Sequence, residues 1–321
     1  MSEQVTSAAH AQPPSAVEDE AAQVVDPSTQ EGKQMTRRAL VMRRFARSKT
    51  AVVGLIGFFL IVLLAIIGPF LSPWNFADVD NVSFLQPPSG EHLFGTTQGG
   101  RDVLALTLEG LRKSLLIGVC VCLIQTVVAA LVGSAAAYFG KVVDKVLLWV
   151  VDLLLVIPSF LLIAVISQRG GASKGSIVTF IILLAAFGWM LTARVVRSMT
   201  LAVKDLEYVR AAKFMSVPSW VIITKHIIPN VASYLIIDCA LGFVTAVMSE
   251  TVLSYFGFGV QAPNTSLGKL IAEGQASATT TPWVFLAPAT ILVCTLICVN
   301  FIGDGLRDAL DPSSKSGGHA A

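Results

Sequence analysis

Three carboxylates, Asp152, Asp238 and Glu250, each stand within a long run of apolar residues. An ionised carboxylate inside a bilayer is costly, so such a group usually faces a cavity, pairs with another side chain or holds a proton. The three acids are therefore candidates for an intramembrane translocation pathway or its gate. The competing interpretation is that each acid has a structural role, and the place of Asp152, only a turn or two inside its run, favours structural anchoring.

The sequence contains no nucleotide-binding motif of the P-loop type. The phosphate-binding pattern G-x-x-x-x-G-K-[ST] does not occur, and "GGASKGS" at 170–176 has the wrong spacing. Five cysteines all fall in apolar runs, where they serve as small packing residues. We therefore expect no metal site and no catalytic residue among them: Cys120, Cys122, Cys239, Cys294 and Cys298.

The elements that carry these side chains follow from hydropathy. Hydrophobic residues make up 54% of the chain, charged residues 14%, and the mean hydropathy is +0.71, which exclude an ordinary soluble domain. A bilayer core is spanned by about 20 helical residues. The sequence therefore predicts an all-α, polytopic membrane protein with six spans, at about 51–72, 114–139, 146–167, 176–193, 231–257 and 282–302.

The two ends of the chain differ from this membrane domain, which we place at 37–312. Residues 1–36 lack the apolar core of a signal peptide and are rich in Ala, Ser, Pro, Gln and acids, so they predict a disordered tail that is not cleaved. Residues 313–321 are predicted to be a flexible tail.

Basic residues indicate the orientation of the chain, because the cytoplasmic side is richer in Lys and Arg. They cluster before the first span and again between spans four and five, so these two regions share a side. We expect both termini in the cytoplasm, and a cytoplasmic loop at 194–230. The only Lys and Arg then left outside are Arg101, Arg112, Lys113, Arg169, Lys174 and Lys269.

Within that loop, residues 205–230 predict a pair of short helices, which we call the bracket. The first helix runs from Asp205, a candidate cap, to Met215. Pro218 fits the first turn of a second helix, which Pro229 ends after His226. The apolar residues of the bracket enter either lipid headgroups or a docking surface for another protein, and the residues alone leave both open: Phe214, Met215, Val217, Trp220, Val221 and Ile222.

Two further patterns concern the outer side and the spans. Val103, Leu104, Leu108 and Leu111 recur at helical spacing and predict an amphipathic helix lying at the outer membrane interface. Pro158 should kink or open the third span.

Several segments in order resemble the permeases of ABC importers, in particular the second permease subunit of dipeptide, oligopeptide and nickel importers. These segments are "FGTTQGGRDVLALTLEGLRKSLLIG", "YFGKVVDKVLLWVVDLLLVIPSFLL", "GWMLTARVVRSMTLAVKDLEYVRAAKFMSVPSWVIITKHIIPN", "SETVLSYFGFGVQAPNTSLGKLIAEG" and "PWVFLAPATILVCTLICVNFIGDGLRDALDP". The resemblance covers about 40–315. It implies the type I importer permease fold.

The bracket resembles the family's loop motif, Glu-Ala-Ala, three residues, Gly, nine residues, then Ile-x-Leu-Pro. Arg210 stands at the motif's Glu and Ser216 at its Gly, while His226 and Ile228 take the Ile and Leu places. In the family this loop couples the permease to a cytoplasmic ATPase. The resemblance therefore implies ATPase coupling through Glu207, Tyr208, Arg210, Ala211, Ala212, Lys213, Phe214, Met215, Ser216, Val217, Pro218, His226 and Pro229.

The resemblance implies a transport subunit that is not an enzyme and binds no cofactor, in a bacterial inner membrane. ATP and Mg²⁺ would be bound by two ATP-binding subunits or one fused pair. The other implied partners are a homologous permease, an extracytoplasmic substrate-binding protein near the 103–111 segment, and the lipid bilayer, without nucleic acid. Peptides are the expected solute; nickel chelates or haem-like solutes are the alternative.

Two other classes remain as alternatives. A secondary transporter driven by an ion gradient would show repeated halves with matching broken helices, and no such symmetry is visible in the sequence. A membrane anchor or sensor without transport would leave the three carboxylates and the bracket free to vary.

Overall fold

The computed structural model describes residues 37–169 and 176–310, and in these ranges the protein is helical apart from loops and one isolated antiparallel bridge between Thr96 and Asp102. Residues 37–40 form the first turn of α1. The predicted tails at 1–36 and 313–321 lie outside the described residues, as does most of "GGASKGS".

The helices within the described residues range from four to 37 residues in length. In chain order they are α1 (Arg37–Arg47), α2 (Lys49–Leu71), α3 (Val103–Phe139), α4 (Lys141–Val156), α5 (Ser159–Arg169), α6 (Ile177–Ala186), α7 (Met190–Val203), α8 (Glu207–Phe214), α9 (Ser219–Ile222), a π-helical turn (Ile223–Ile227), α10 (Ile228–Tyr255), α11 (Leu267–Gln275) and α12 (Pro282–Leu310).

Four helical stretches are long and apolar enough to cross a membrane: α2, α3, the continuous stretch Ser219–Tyr255, and α12. Two bent pairs, α4 with α5 and α6 with α7, raise the number of candidate spans to six if each pair crosses once. The prediction of an all-helical protein with six spans is confirmed in this form. The boundaries of the membrane domain stay a prediction.

Each bent pair has a local cause. The chain turns by 75° between α4 and α5 at Ile157 and Pro158, where the missing N–H and the ring of proline end the first helix, as expected from sequence. The 48° bend between α6 and α7 falls at Gly188. There the amide Nε2 of Gln125 donates to the carbonyl oxygen of Leu184 at 3.0 Å, and a β-carbon on residue 188 would overlap that amide.

Helix α3 corrects the prediction of a separate outer interfacial helix. Asp102 caps its first turn through Oδ1, which accepts from the N–H of Ala105 at 2.7 Å, and the helix then runs unbroken to Phe139. Val103, Leu108 and Leu111 are buried in the protein. Their helical spacing therefore reflects packing against neighbouring helices and not a place on the membrane surface.

The centre of the fold is α3, which packs against α7 and α10. At Gly133 the missing side chain lets α7 come close, since a β-carbon there would lie 2.9 Å from Cβ of Val196. Nearer the amino end of α3, Leu111 and Leu115 join Phe243 and Val247 of α10 in one apolar cluster. Hence α3 contacts α7 with its carboxyl half and α10 with its amino half.

The loop at 72–102 folds over the amino end of α3 around His92, which is fully buried. Its Nδ1 lies 2.9 Å from Oδ2 of Asp102, its Nε2 lies 3.5 Å from Oδ2 of Asp80, and its ring stacks on Trp74. Hydrogen bonds from Ser83 and the N–H of Val82, with His92 adding to them, hold the pKa of Asp80 below its ordinary value. The stabilisation from Asp80 is thus present above its ordinary pKa and lost as pH falls through the lowered one.

Candidate functional site

The first helix of the bracket, α8, is shorter than predicted. It spans Glu207–Phe214, and its N-cap is Leu206 without a side-chain cap hydrogen bond, so Asp205 is not the cap. Glu207 in the first turn and Lys213 in the last have the signs that the helix dipole favours at each end.

Helix α8 ends in a Schellman motif, which explains one departure from the family's loop motif. The N–H of Val217 donates to the carbonyl of Ala212 and that of Ser216 to the carbonyl of Lys213, both at 3.1 Å. This closure requires a left-handed residue at 216, and Ser216 has φ of 57°. The motif's glycine is therefore a conformational requirement, which serine meets here with backbone strain.

The second half of the bracket corrects the prediction that Pro229 ends a separate helix. Helix α9, preceded by Pro218, passes through the π-helical turn directly into α10, with Pro229 in the first turn of α10. In the turn the N–H of Ile228 bonds to the carbonyl of Ile223, five residues back. The wider turn makes room for a proline that has no N–H and whose ring would clash with a carbonyl in an α-helix.

One face of the bracket is anchored to the protein. Val209, Ala212, Ile222, Ile223 and Ile227 are buried together with Ala135 of α3. Ala212 is 2% exposed, and its small side chain lets α8 pack into this cluster. The side-chain amide of Asn230 donates to the hydroxyl of Tyr208 and, at 2.9 Å, to the carbonyl of His226, which joins α8 to the start of α10.

The opposite face of the bracket is apolar, basic and exposed. Phe214 is 83% exposed, Met215 72% and Trp220 56%, and Arg210 and Lys213 are exposed beside them. Val217 and Val221 are half-buried and Ile222 is buried, so only part of the predicted apolar set faces outward. We call the outward set, Arg210, Lys213, Phe214, Met215 and Trp220, the bracket surface. It borders a cavity of about 550 Å³ lined also by Tyr138, Lys204, Asp205 and Val209.

A second cavity, of about 490 Å³, lies among the spans and is called the membrane cavity. Its wall is mostly apolar, and its polar side chains are neutral: Gln125, Ser159, Thr245 and Ser249. No charged side chain belongs to the described residues that line it. The wall can therefore offer hydrogen bonds to a polar solute without selecting its charge.

Asp152 makes an ion pair with Arg194, which joins α4 to α7. This pairing agrees with structural anchoring. Asp238 lies half-buried on α10, where it accepts from the hydroxyl of Thr192 at 3.0 and 3.1 Å and from that of Tyr234 at 3.3 Å. Both acids thus act between helices, and neither lines the membrane cavity.

Glu250 is fully buried near the carboxyl end of α10 and is the centre of a network of serines, which we call the outer hub. Its Oε1 accepts from the hydroxyls of Ser254 and Ser266, both at 2.6 Å. Ser114 of α3 lies 3.5 Å from its Oε2 and accepts from the N–H of Leu267 at 3.1 Å. The hub thereby fixes the start of α11 to α3 and α10. For the three acids, a role in the pathway or gate stays a prediction.

Sequence reasoning missed two groups of residues. The neutral polar side chains of the membrane cavity were not singled out, although a polar residue within an apolar run was the available signal. The ion pair between Arg197 and Asp144, 53 residues apart, left no signal in the sequence, because nothing in either residue's neighbourhood identifies its partner. Within 37–169 and 176–310 no group of three or more His, Cys, Asp or Glu is placed to hold a metal ion.

These features define a helical membrane protein with several spans, an anchored loop motif and a neutral cavity. Residues 129–316 match the family described as "Binding-protein-dependent transport system inner membrane component", and residues 36–88 match the "N-terminal TM domain of oligopeptide transport permease C". The chain belongs to this family of binding-protein-dependent permeases.

Similar proteins carry consistent names. The oligopeptide transport system permease protein OppC of Mycobacterium tuberculosis (strain H37Rv) is 52% identical over 281 residues, 88% of this chain and 96% of that protein. OppC of Bacillus subtilis (strain 168) is 35% identical over 274 residues, 85% of this chain and 89% of its own. The dipeptide transport system permease protein DppC of the same strain is 34% identical, covering 85% of each.

Proposed function

We propose that this chain is a transmembrane subunit of an ATP-driven importer that moves oligopeptides or dipeptides across a bacterial plasma membrane. The proposal rests on its membership of the permease family and on relatives named as oligopeptide and dipeptide permeases. The neutral wall of the membrane cavity suits a solute whose main chain offers amides and whose side chains vary in charge.

The observation that carries the mechanism is the two-sided bracket. Its inner face is buried against α3 and its outer face exposes large apolar side chains next to two cations. Exposed aromatic and apolar residues flanked by charges are typical of protein docking sites. The bracket surface is therefore the site at which an ATPase subunit binds, and the buried face transmits its movement to α3 and α10.

The chain in this proposal does no catalysis and binds no cofactor. Partner subunits, two ATP-binding chains or one fused pair, bind ATP and Mg²⁺. A homologous permease completes the pathway, and an extracytoplasmic binding protein delivers the peptide. Both termini and the bracket lie in the cytoplasm, because the basic residues concentrate there. Asp238 and Glu250 influence the gate through the helices that they hold together.

Alternating access follows from this arrangement. When ATP binding brings the ATPase subunits together, the brackets of the two permeases are drawn inward, and the cavity at their interface changes the side on which it opens. The free energy of ATP binding and hydrolysis is coupled to the spans mechanically.

The test combines co-purification and uptake. Full-length chain carrying Phe214→Asp or Met215→Asp is compared with chain carrying Val82→Asp or Met42→Asp. These control positions lie outside the candidate spans and are equally exposed, at 83% and 72%. We expect each bracket variant to bind the ATPase subunits about 30-fold or more weakly than the wild type, since a docking anchor contributes about 2 kcal/mol or more. The control variants should bind them as the wild type does.

Uptake of labelled tri-alanine is measured in the same cells. We expect uptake with the wild-type and control chains, loss with the bracket variants, and persistence when a protonophore is added while ATP is maintained. Collapse of uptake with the protonophore alone would instead support an ion-driven transporter. Uptake of labelled nickel chelates or haem in place of tri-alanine would support the alternative solutes.

A further inference from the structure

Two ion pairs join α4 to α7. The guanidinium of Arg197 binds Asp144 in bidentate fashion, Nε to Oδ1 and Nη2 to Oδ2, both at 2.5 Å, with the two side chains only 26% and 18% exposed. Arg194 pairs with Asp152 one turn earlier on α7, in a more exposed position. Bidentate geometry fixes the relative position of the two helices more closely than a single contact does.

Helix α4 also packs on α3, where Leu147 joins the cluster around Ala135, but few of its side chains are fully buried within this chain. Of its 16 residues only Val151 is buried. Apolar burial, the usual source of helix attachment, is therefore small here. The ion pairs are consequently the polar contacts that fix α4 relative to α7.

Helix α7 leads to the bracket, and helix α4 leads to the α5 part of the membrane cavity wall. Only three residues, Lys204 to Leu206, separate the end of α7 from the start of α8 in the bracket. Helix α4 continues through the bend at Pro158 into α5, where Ser159, Phe160 and Ile163 line the membrane cavity. The ion pairs thus connect α7, which leads to the bracket and contributes Leu191 to the cavity wall, to α4, which leads into the α5 part of that wall.

Helix α7 is itself held firmly. It packs closely on α3 at Gly133, the hydroxyl of Thr200 lies 3.4 Å from that of Ser134, and Nζ of Lys204 donates to the carbonyl of Ala137 at 3.3 Å. A displacement of the bracket is therefore transferred to α7 as a whole and not absorbed by a loose helix.

We propose that Arg197 and Asp144 are positioning residues for transport, and that their ion pair carries the movement of the bracket through α4 to the α5 wall of the membrane cavity. The pair of Arg194 and Asp152 supports the same connection with a smaller effect, because it is more exposed and better screened by solvent. This inference rests on the proposed function, in which an ATPase moves the bracket.

The experiment measures the cavity wall directly. Ser159→Cys is introduced into the full chain within the complex isolated from membranes, and its labelling by a maleimide is followed without nucleotide and with ATP and vanadate. Labelling of the chain without this substitution is subtracted to account for the native cysteines. We expect a labelling rate at position 159 that differs between the two states.

The Ser159→Cys chain then receives Arg197→Gln, Asp144→Asn, or the exchanged pair Arg197→Asp with Asp144→Arg. We expect each single variant to lose the nucleotide-dependent difference while still binding the ATPase subunits, and the exchanged pair to recover much of it. The matched control is Glu109→Gln, which breaks the Glu109–Lys113 pair within α3 and should leave the difference intact.

Each other outcome contradicts the inference. Single variants that keep the difference show that the ion pair transmits nothing. Variants that no longer assemble show that the pair serves stability alone. Failure of the exchanged pair to recover shows that the two residues do not act through each other. A nucleotide-insensitive position 159 in a complex that contains ATPase removes the connection, whereas absence of any ATPase subunit would overturn the proposed function itself.

Discussion

The bracket and the outer hub lie at opposite ends of α10 and differ in how they attach a short helix. Both dock a helix of eight or nine residues, α8 or α11, against α3 and α10. In the outer hub both carboxylate oxygens of Glu250 are buried and accept from serine hydroxyls. Ser266 also caps α11, because its hydroxyl oxygen accepts from the N–H of Lys269 at 3.2 Å. In the bracket the attachment is mainly apolar, with one polar link through the side chain of Asn230, and large side chains remain exposed.

This difference indicates which end of α10 can shift its attached helix and which end keeps it fixed. A sealed polar network has one good arrangement, because any displacement leaves buried groups without hydrogen bonds. An apolar contact between small and branched side chains can shift without such a loss, and exposed aromatic groups gain energy only when a partner covers them. In the proposed function the hub is therefore the fixed frame, and the bracket is the part that responds to a partner.

The largest expected effect comes from breaking the hub. Glu250→Ala should lower the free energy of unfolding by about 3 kcal/mol, because the hydroxyls of Ser254 and Ser266 lose their acceptor in a buried site. Thermal unfolding of the purified protein measures this. Glu250→Gln, which keeps one acceptor oxygen, should cost less, and association with the ATPase should survive in both below the melting temperature. If Glu250→Ala and the wild type are equally stable, the hub does not act as a fixed frame.

A smaller effect is expected from overfilling the bracket's attachment. Ala212→Leu inserts extra methylene groups at a buried position and should weaken the docking of α8 by about 2 kcal/mol. Limited trypsin cleavage after Arg210 and Lys213 should become faster. The neighbouring Ala211→Leu is the matched control, because Ala211 is exposed and has room for the larger side chain. Equal acceleration in both variants would show that burial at 212 is not what holds α8.

The smallest effect is a gain. Ser216→Gly removes the strain of a left-handed serine and should stabilise the bracket by about 0.5 to 1 kcal/mol. Trypsin cleavage in α8 should then slow by about two- to fivefold. Ser219→Gly serves as comparison, because Ser219 begins α9 and gains nothing from glycine. Faster cleavage of Ser216→Gly than of wild type would mean that the serine hydroxyl stabilises this turn.

Much of the fold was predictable because its signals are local. Long apolar runs predicted the spans, and Pro158 predicted the break between α4 and α5. Pro229 misled the prediction, since a proline can end a helix or sit in a first turn, and the π-helical turn that decides between them depends on packing beneath it. The spacing at 103–111 was helical as expected, but periodicity alone does not distinguish lipid from protein as the apolar neighbour.

The candidate site divides in the same way. The bracket's residues were found because its motif is contiguous, and the structure adds the reason for a glycine-like residue at 216. The carboxylates were found as anomalies in apolar runs, but their partners come from distant helices: Arg194 for Asp152, Thr192 for Asp238 and Ser114 for Glu250. Such pairings follow only from the folded arrangement of α3, α7 and α10.

Photo-cross-linking in intact membranes distinguishes an ATPase bound at the bracket surface from lipid in contact with it. Benzoylphenylalanine replaces Phe214 in the full chain, and Phe70, equally exposed at the carboxyl end of α2, in a matched control. We expect position 214 to form a covalent adduct with an ATP-binding subunit and position 70 to form none. Adducts with lipid alone at position 214, matching those at position 70, would contradict this expectation.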